Sequence, residues 1–220
     1  MDQGPGQTTC PTSDPTQERI LDEAELLFAC QGFHGVSVRA ITKAAGCHLS
    51  AVNYHFGSKE NLYLEVFRCR WVPRGKKLLG MLQQMDAQPT VTVQEVVGAL
   101  AFFLFSHHME QEQRLRHQGL MSKELDHPGP ALELVVNEVI RPHVELAARL
   151  LSRAMPDYPE PERLKLCVFS ILAQALFFRH GSPIVSKVLG VDYDSAFASL
   201  LTRHITDFCL HGLTNSGDPS

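Results

Sequence analysis

The chain has 220 residues, of which 44% are apolar and 20% charged, with a mean hydropathy of −0.08 and a formal net charge of −4; this is the composition of an ordinary folded protein rather than of a disordered or fibrous one. No apolar run reaches the roughly 20 residues of a membrane helix, and the N-terminus lacks the basic-then-apolar pattern of an export signal, so neither a membrane span nor export is expected. Six cysteines, at 10, 30, 47, 69, 167 and 209, show neither CxxC nor zinc-type spacing, and a reduced, cytoplasmic setting is the expectation.

Residues 1–13 are rich in Gly, Pro, Thr and Gln without apolar periodicity and read as a disordered tail. They carry no arginine, which DNA minor-groove arms use. Asp14-Pro15-Thr16-Gln17 opens a first helix, capped either by Asp14 with Pro15 at the first position or by Thr16. Ile20, Leu21, Ala24, Leu27 and Phe28 recur at helical spacing, and Gly32 and Gly35 stop the run. Ser37 caps a short second helix to about Ala44, and Gly46 ends it. A third short helix covers about Leu49 to His55, anchored by Val52 and Phe56 and broken by Gly57.

Ser58 caps a longer helix running into the eighties, which Pro73 must kink or split because it lacks a backbone donor. Thr92-Val93-Gln94-Glu95 is a capping box for a helix ending near His108. Further helices are expected at 111–125, at 128–155 with a kink at Pro142, at 161–180, and at 193–213, with a loop and one helical turn after Gly181-Ser182-Pro183. No segment alternates like a strand. The predicted fold is all-α, with about nine helices: a helix-turn-helix head at 14–60, a larger helical domain at 61–213, and a second disordered tail at 214–220.

The net charge argues against a nucleic-acid binder, but the average hides a local pattern. Residues 26–59 contain no Asp or Glu and carry Arg39, Lys43 and Lys59 with three histidines. A phosphate-facing surface needs locally positive potential rather than a basic whole chain. Two short helices joined by a Gly-containing turn fit a helix-turn-helix, whose second helix must present one free face to a major groove. Ile41, Ala45, Cys47, Val52 and Phe56 supply its apolar inside, leaving Leu49, Ser50, Ala51, Asn53 and Tyr54 outward. Asn53 can pair bidentately with adenine, and the methyls of Leu49 and Ala51 can meet a thymine methyl. Ser37, Tyr54, His55 and Lys59 surround that face as phosphate ligands, and Lys43 and His48 belong to the same expected DNA surface.

Residues 16–63, from Thr-Gln-Glu-Arg-Ile through the Gly-Phe loop, Ser-Val-Arg and Ala-Ala-Gly to Tyr-His-Phe-Gly-Ser-Lys-Glu-Asn-Leu-Tyr, closely resemble the DNA-binding domain of the TetR family of bacterial transcriptional regulators. The resemblance implies Ser37 on a phosphate, Arg39 where the family can read a base, Leu49, Ser50, Ala51 and Asn53 on the reading face, and Tyr54, His55 and Lys59 on phosphate positions. Three residues depart from the pattern: Thr42 stands where a small Ala is usual, His48 where a capping Ser or other polar residue is common, and Asn53 where Tyr is common. A weaker resemblance, carried by GLMSKELDHPGPALELVVNEVIRPHVELAARLL and SILAQALFFRHGSPIVSKVLG, points to the C-terminal domain of the CecR-type branch. His180 and Ser182 depart from that branch. It implies a homodimer formed by the last two large helices, with a helical core that can bind a small effector.

No catalytic or metal centre is expected. Tyr54 and His55 have no carboxylate or nucleophile nearby in sequence to make them an acid–base pair. The spacing of His48 and His55 is unlike zinc sites. His107, His108, His117, His127 and His143 read as surface or loop residues, with a metal-sensing role as the alternative. The basic run Arg68, Arg70, Arg74, Lys76 and Lys77 reads first as a solvated or ion-paired face. Phe102, Phe105, Gln174, Phe177 and Arg179 are the candidate effector-pocket residues. Arg179 pairs either with Glu124 or Glu138 or with an anionic group of an effector.

The resulting expectation is a homodimeric, sequence-specific DNA-binding regulator, a repressor released from a palindromic operator by a small molecule, with no cofactor, no metal and no enzymatic activity. The second reading is a DNA-binding protein without an effector, controlled by a protein partner or by dimerisation.

Overall fold

Asp14 starts the helical chain. Its carboxylate accepts the Thr16 N–H at 2.8 Å and Pro15 takes the first helical position, which settles the cap in favour of Asp14. The computed structural model describes residues 14–105, 111–156 and 161–214; the expected tail at 1–13, residues 215–220 of the tail expected at 214–220, and His107 and His108 lie outside the described residues, while Thr214 ends the last helix. Among the described residues every regular element is helical: α1 (Pro15–Gly35), α2 (Val38–Ala44), α3 (Ser50–Phe56), α4 (Lys59–Val66), α5 (Val72–Asp86), α6 (Val93–Phe105), α7 (Gln111–Asp126), α8 (Ala131–Val135), α9 (Arg141–Ala154), α10 (Pro161–His180), α11 (Ser182–Leu189) and α12 (Ser195–Thr214).

The caps follow local chemistry. Ser37 accepts from the Ala40 N–H at 3.1 Å and Ser58 from the Asn61 N–H at 3.0 Å. Thr92 and Glu95 form a reciprocal capping box, with Thr92 N–H to Glu95 Oε2 at 2.7 Å and Glu95 N–H to Thr92 Oγ1 at 3.2 Å. Inside α1, Gly32 sits at φ 72° and ψ 174°, a conformation open to glycine, so the helix breaks where the sequence places its stop. The chain reverses after α3 at Gly57, φ 78°.

A π-helical turn marks each internal proline, where a kink or split is expected at Pro73 and a kink at Pro142. A five-residue π-helical turn, Phe67–Trp71, joins α4 to α5 just before Pro73, and a second, Val136–Ile140, joins α8 to α9 just before Pro142. A proline offers no N–H and its ring crowds the carbonyl four residues back; widening the preceding turn relieves both constraints. α11 is the unexpected helix. Pro183 enters its first turn rather than ending order, and the chain bends by 71° between α10 and α11.

The chain divides into two compact units, the first within Met1–Lys76 and Met109–Val139, the second within Lys77–His108 and Ile140–Ser220. In the first, α1 packs against α2, α4 and α7. Its core holds Ile20, Leu21, Phe28, Ile41, Val52, Leu62, Tyr63, Val66 and Phe67, all fully buried. The α1–α7 crossing is close, since a Cβ on Gly119 would lie 2.7 Å from the Ala29 carbonyl oxygen. The head drawn from the sequence at 14–60 is therefore packed together with helical chain as far as residue 76 and with α7 and α8.

In the second unit α6 packs against α9, α10 and α12, around Val96, Val97, Leu100, Leu150, Leu151, Val168 and Ile205. Asp86, at the end of α5, receives Arg149 and Arg153 of α9 at 2.8 Å each, and Arg153 also donates to the Gln88 carbonyl at 2.7 Å. No single helix among the described residues is long and apolar enough to cross a membrane.

Candidate nucleic-acid interface

The inside of the helix-turn-helix is dry: Ile41, Ala45, Val52 and Phe56 are buried, while Cys47 is half-buried. Thr42, where a smaller residue is usual, is 3% exposed, and its hydroxyl donates to the Arg39 carbonyl at 3.3 Å. The extra oxygen is thus satisfied inside the motif.

The opposite face is open. Ser37, Arg39, Lys43, His48, Leu49, Ser50, Asn53 and Tyr54 are exposed, with Leu49 at 52% and Tyr54 at 84%. Ala51, His55 and Lys59 are half-buried at its edge. No carboxylate lies on α2 or α3.

α3 begins at Ser50, one residue later than the sequence suggests, and Leu49 at its N-cap offers no side-chain cap. His48 takes that role. Its Nδ1 lies 2.9 Å from Ser50 Oγ and 3.4 Å from the Ser50 N–H, so the residue that departs from the usual serine still accepts at the start of the recognition helix.

Two phosphate candidates have partners that the sequence did not reveal. His55 Nε2 lies 3.6 Å from Asp14 Oδ2, and its ring meets Tyr54 edge-on at 4.9 Å. The Thr16 backbone N–H and the charge of His55 hold the Asp14 carboxyl below its ordinary value. Lys59 Nζ sits 4.4 Å above the Phe33 ring, and burial pulls its pKa down. Asp14 caps α1 and Phe33 lies in its last turns, so both partners are supplied by the two ends of α1.

Two family models match the chain. The model for the C-terminal domain of the HTH-type transcriptional dual regulator CecR covers residues 89–213, and that for the bacterial regulatory proteins of the tetR family covers residues 20–66. The chain belongs to the TetR family, with a CecR-type C-terminal domain. It is similar to the transcriptional dual regulator CecR of Shigella flexneri, at 23% identity over 91% of this chain and 94% of that one. It is also similar to the transcriptional repressor AcnR of Corynebacterium glutamicum, at 43% identity over 24% of this chain and 30% of that one. The chain spans between 30% and 47% of the length of the first curated relatives it matches. Among solved structures, FadR of Bacillus subtilis, crystallised with stearoyl-CoA, superposes with a TM-score of 0.57 at 17% identity, covering 89% of this chain and 98% of that one; this likeness concerns the fold. The matched families are DNA-binding transcriptional regulators and not enzymes.

The residues marked from the sequence for the regulator's effector pocket do not share one environment. Phe105 is buried, Phe102 is 51% and Phe177 61% exposed, and Gln174 and Arg179 are half-buried. Gln174 Oε1 receives the Cys209 thiol at 3.9 Å. Glu124, one of the two carboxylates considered for Arg179, is committed elsewhere: it accepts from the Tyr63 hydroxyl at 2.6 Å and from the Gly129 N–H at 3.0 Å. A cleft of about 220 Å³ opens between α6 and α12, lined by Gln94, Gly98, Thr202, Arg203, Thr206 and Asp207, and none of the five candidates lines it.

The basic run splits between surface and interior. Arg68 pairs with Glu65 at 3.6 Å, Arg70 with Glu18 and with Asp22 at 2.8 Å, and Lys76 and Lys77 are exposed. Arg74 turns inward. His117 stacks on Trp71 at 4.8 Å, and His143 is buried while His127 is exposed. No three His, Cys, Asp or Glu side chains converge as metal ligands among the described residues. Cys30, Cys47, Cys167 and Cys209 are free thiols.

Proposed function

We propose that this TetR-family chain acts in the cytoplasm as a homodimeric repressor that reads a palindromic operator with α3 and leaves it when a small effector binds. The observation that carries the reading is the exposed, carboxylate-free face of α2 and α3, ringed by Ser37, Arg39, Lys43, His48, Tyr54, His55 and Lys59. Leu49, Ser50, Ala51 and Asn53 read base edges from the centre of that face, and the ring fixes register on the phosphates.

Dimerisation is supported by the apolar side chains that α10 and α12 leave in water. Leu166 is 65% exposed, Phe169 49%, Phe177 61%, Leu200 49% and Phe208 62%. Large apolar groups gathered on two long helices mark an interaction surface, and two-fold symmetry of the protein then demands two half-sites. Release follows from differential affinity: an effector that prefers a DNA-incompetent arrangement lowers operator affinity by its coupling free energy, typically about 1–3 kcal/mol.

The test is selection of bound duplexes from a random library, with and without candidate ligands, followed by sedimentation of the complex. A palindromic consensus bound by a dimer is expected. Recovery of unrelated sequences, or of single half-sites by a monomer, refutes the proposal.

A further inference from the structure

An exposed side chain ordinarily changes rotamer freely, but His48 is held. It stands in the turn between α2 and α3, where the Cys47 N–H donates to the Thr42 carbonyl at 3.0 Å and the His48 carbonyl accepts the Ala51 N–H at 2.9 Å. The ring is fixed as well: Nδ1 lies 3.4 Å from the Ser50 nitrogen and 2.9 Å from Ser50 Oγ. A backbone N–H can only donate, so Nδ1 meets it with a lone pair rather than a proton, and the Ser50 hydroxyl donates to the same nitrogen. The bond made by one ring nitrogen sets the tautomer of the other. His48 is therefore a neutral imidazole with its proton on Nε2. That N–H has no partner among the described residues, and the residue is exposed.

We infer that His48 is a specificity-determining residue, whose Nε2–H donates to the N7 of one purine in each operator half-site. This role rests on the reading of α3 as the helix that enters the major groove. A recognition helix contacts base edges with its first residues, and His48 directly precedes Leu49 and Ser50 of the reading face. Phosphates favour charged donors, whereas the bonds from Ser50 hold this ring neutral. A single directional donor also discriminates among bases. Adenine and guanine both offer N7 to the major groove, and cytosine offers only its amino group.

The ring's orientation is set before DNA arrives, so little rotamer freedom is lost on binding. His48 thereby moves from the phosphate ring to the base-reading residues. A serine at this position would spend its hydroxyl on the cap; the imidazole caps with one nitrogen and keeps the other for DNA.

The test uses duplexes of the selected consensus in which each purine in turn, in both half-sites, is replaced by its 7-deaza analogue, which puts C–H in place of N7 and keeps the base pair. Anisotropy titrations are run at mildly alkaline pH with wild type and His48→Ser, which retains a capping hydroxyl. Wild type is expected to lose about fivefold in affinity per half-site at one purine, the worth of one hydrogen bond. His48→Ser becomes indifferent to the analogue at that purine and stays sensitive at any purine read by Asn53. If His48→Ser fails to fold, His48→Asp takes its place, being a strong cap without a donor; its uniform effect on affinity leaves the position-by-position profile readable. Nitrogen NMR of the imidazoles, with His48 assigned by the signals its replacement removes, is expected to show a protonated Nε2 and a bare Nδ1 in the free protein. A proton on Nδ1, a 7-deaza profile that the variant leaves unchanged, or a loss in His48→Ser that is equal for every duplex, the mark of a phosphate contact, overturns the inference. If wild type selects no consensus, the reading of α3 itself fails and this role with it; a consensus with an unchanged profile in the variant defeats the role of His48 alone.

Discussion

The Tyr63 hydroxyl donates to Glu124 at 2.6 Å across 61 residues of sequence, and the two side chains are 0% and 1% exposed. The bond ties α4 to α7. Around it, Tyr63 meets Phe28 edge-on at 4.7 Å, Phe33 at 5.0 Å and Phe67 at 5.1 Å. Glu124 also accepts the Gly129 N–H at 3.0 Å, so the turn into α8 hangs from the same carboxylate.

Tyr63→Phe keeps the ring and removes the donor, leaving a buried carboxylate short of a partner; a loss of about 1–3 kcal/mol in chemical denaturation is expected. The pH profile carries a second signature. Burial, then the hydrogen bond to Glu124 and its charge, push the Tyr63 phenol far above its ordinary value of 10.0. Above that pH the unfolded chain releases a proton that the folded chain retains. Tyr63 therefore contributes stability that is full below 10.0 and declines as the pH climbs beyond it. Wild type should lose stability more steeply with alkali than Tyr63→Phe.

Two glycines inside helices should respond with opposite signs. A Cβ at Gly119 would lie 2.7 Å from the Ala29 carbonyl oxygen and 3.3 Å from Ala29 Cβ; backbone must move, and Gly119→Ala should cost about 1–3 kcal/mol. A Cβ at Gly80, in α5, meets nothing within 4 Å, so Gly80→Ala should stabilise by about 0.5–1 kcal/mol through helix propensity. Urea denaturation of both variants decides it, and a loss at Gly80 or a gain at Gly119 contradicts the packing described.

What the sequence disclosed, and what it hid, divide by range of interaction. Asp14, Ser37, Ser58 and the Thr92–Glu95 box act within a few residues of themselves, and each was legible as a cap. The Gly32 break and the outward face of α3 were equally local. The pairing of Glu124 with Tyr63, the stacking of His117 on Trp71, and the burial of Glu25 depend on α1, α4 and α7 coming together. No periodicity announces them: Glu25 sits in a run of acids that reads as surface. His48 was legible as a departure from the family pattern, but its capping geometry emerged only with the start of α3. The π turns before Pro73 and Pro142 show the same limit, since proline signals disruption without saying how the preceding turn absorbs it.

The apolar face of α10 and α12 yields a direct test of assembly. Phe169→Glu and Phe208→Glu place charges on side chains already 49% and 62% exposed in the single chain, so folding of the monomer should change little. Burying those charges in a dimer is unfavourable. Sedimentation should show the double variant as a monomer with an unchanged helical circular-dichroism spectrum, and operator affinity should fall because one head binds only one half-site. A double variant that stays dimeric places the interface elsewhere.

Two kinds of contact are expected on the proposed DNA face, and two variants distinguish them. Asn53, exposed near the middle of α3, has the side chain that pairs bidentately with adenine. Asn53→Ala should cost about 1–3 kcal/mol on the selected operator and relax preference at one base pair in each half-site, leaving the salt dependence nearly unchanged. Lys59 has a different task at the start of α4, where its ammonium rests against Phe33. Lys59→Ala should weaken binding to every duplex alike and lower the slope of affinity against salt by about 1 per subunit. Anisotropy titrations on the consensus and on single-base variants, at several salt concentrations, give both quantities. If Asn53→Ala left the base preference intact, the recognition face would have to be sought on residues other than those α3 turns outward.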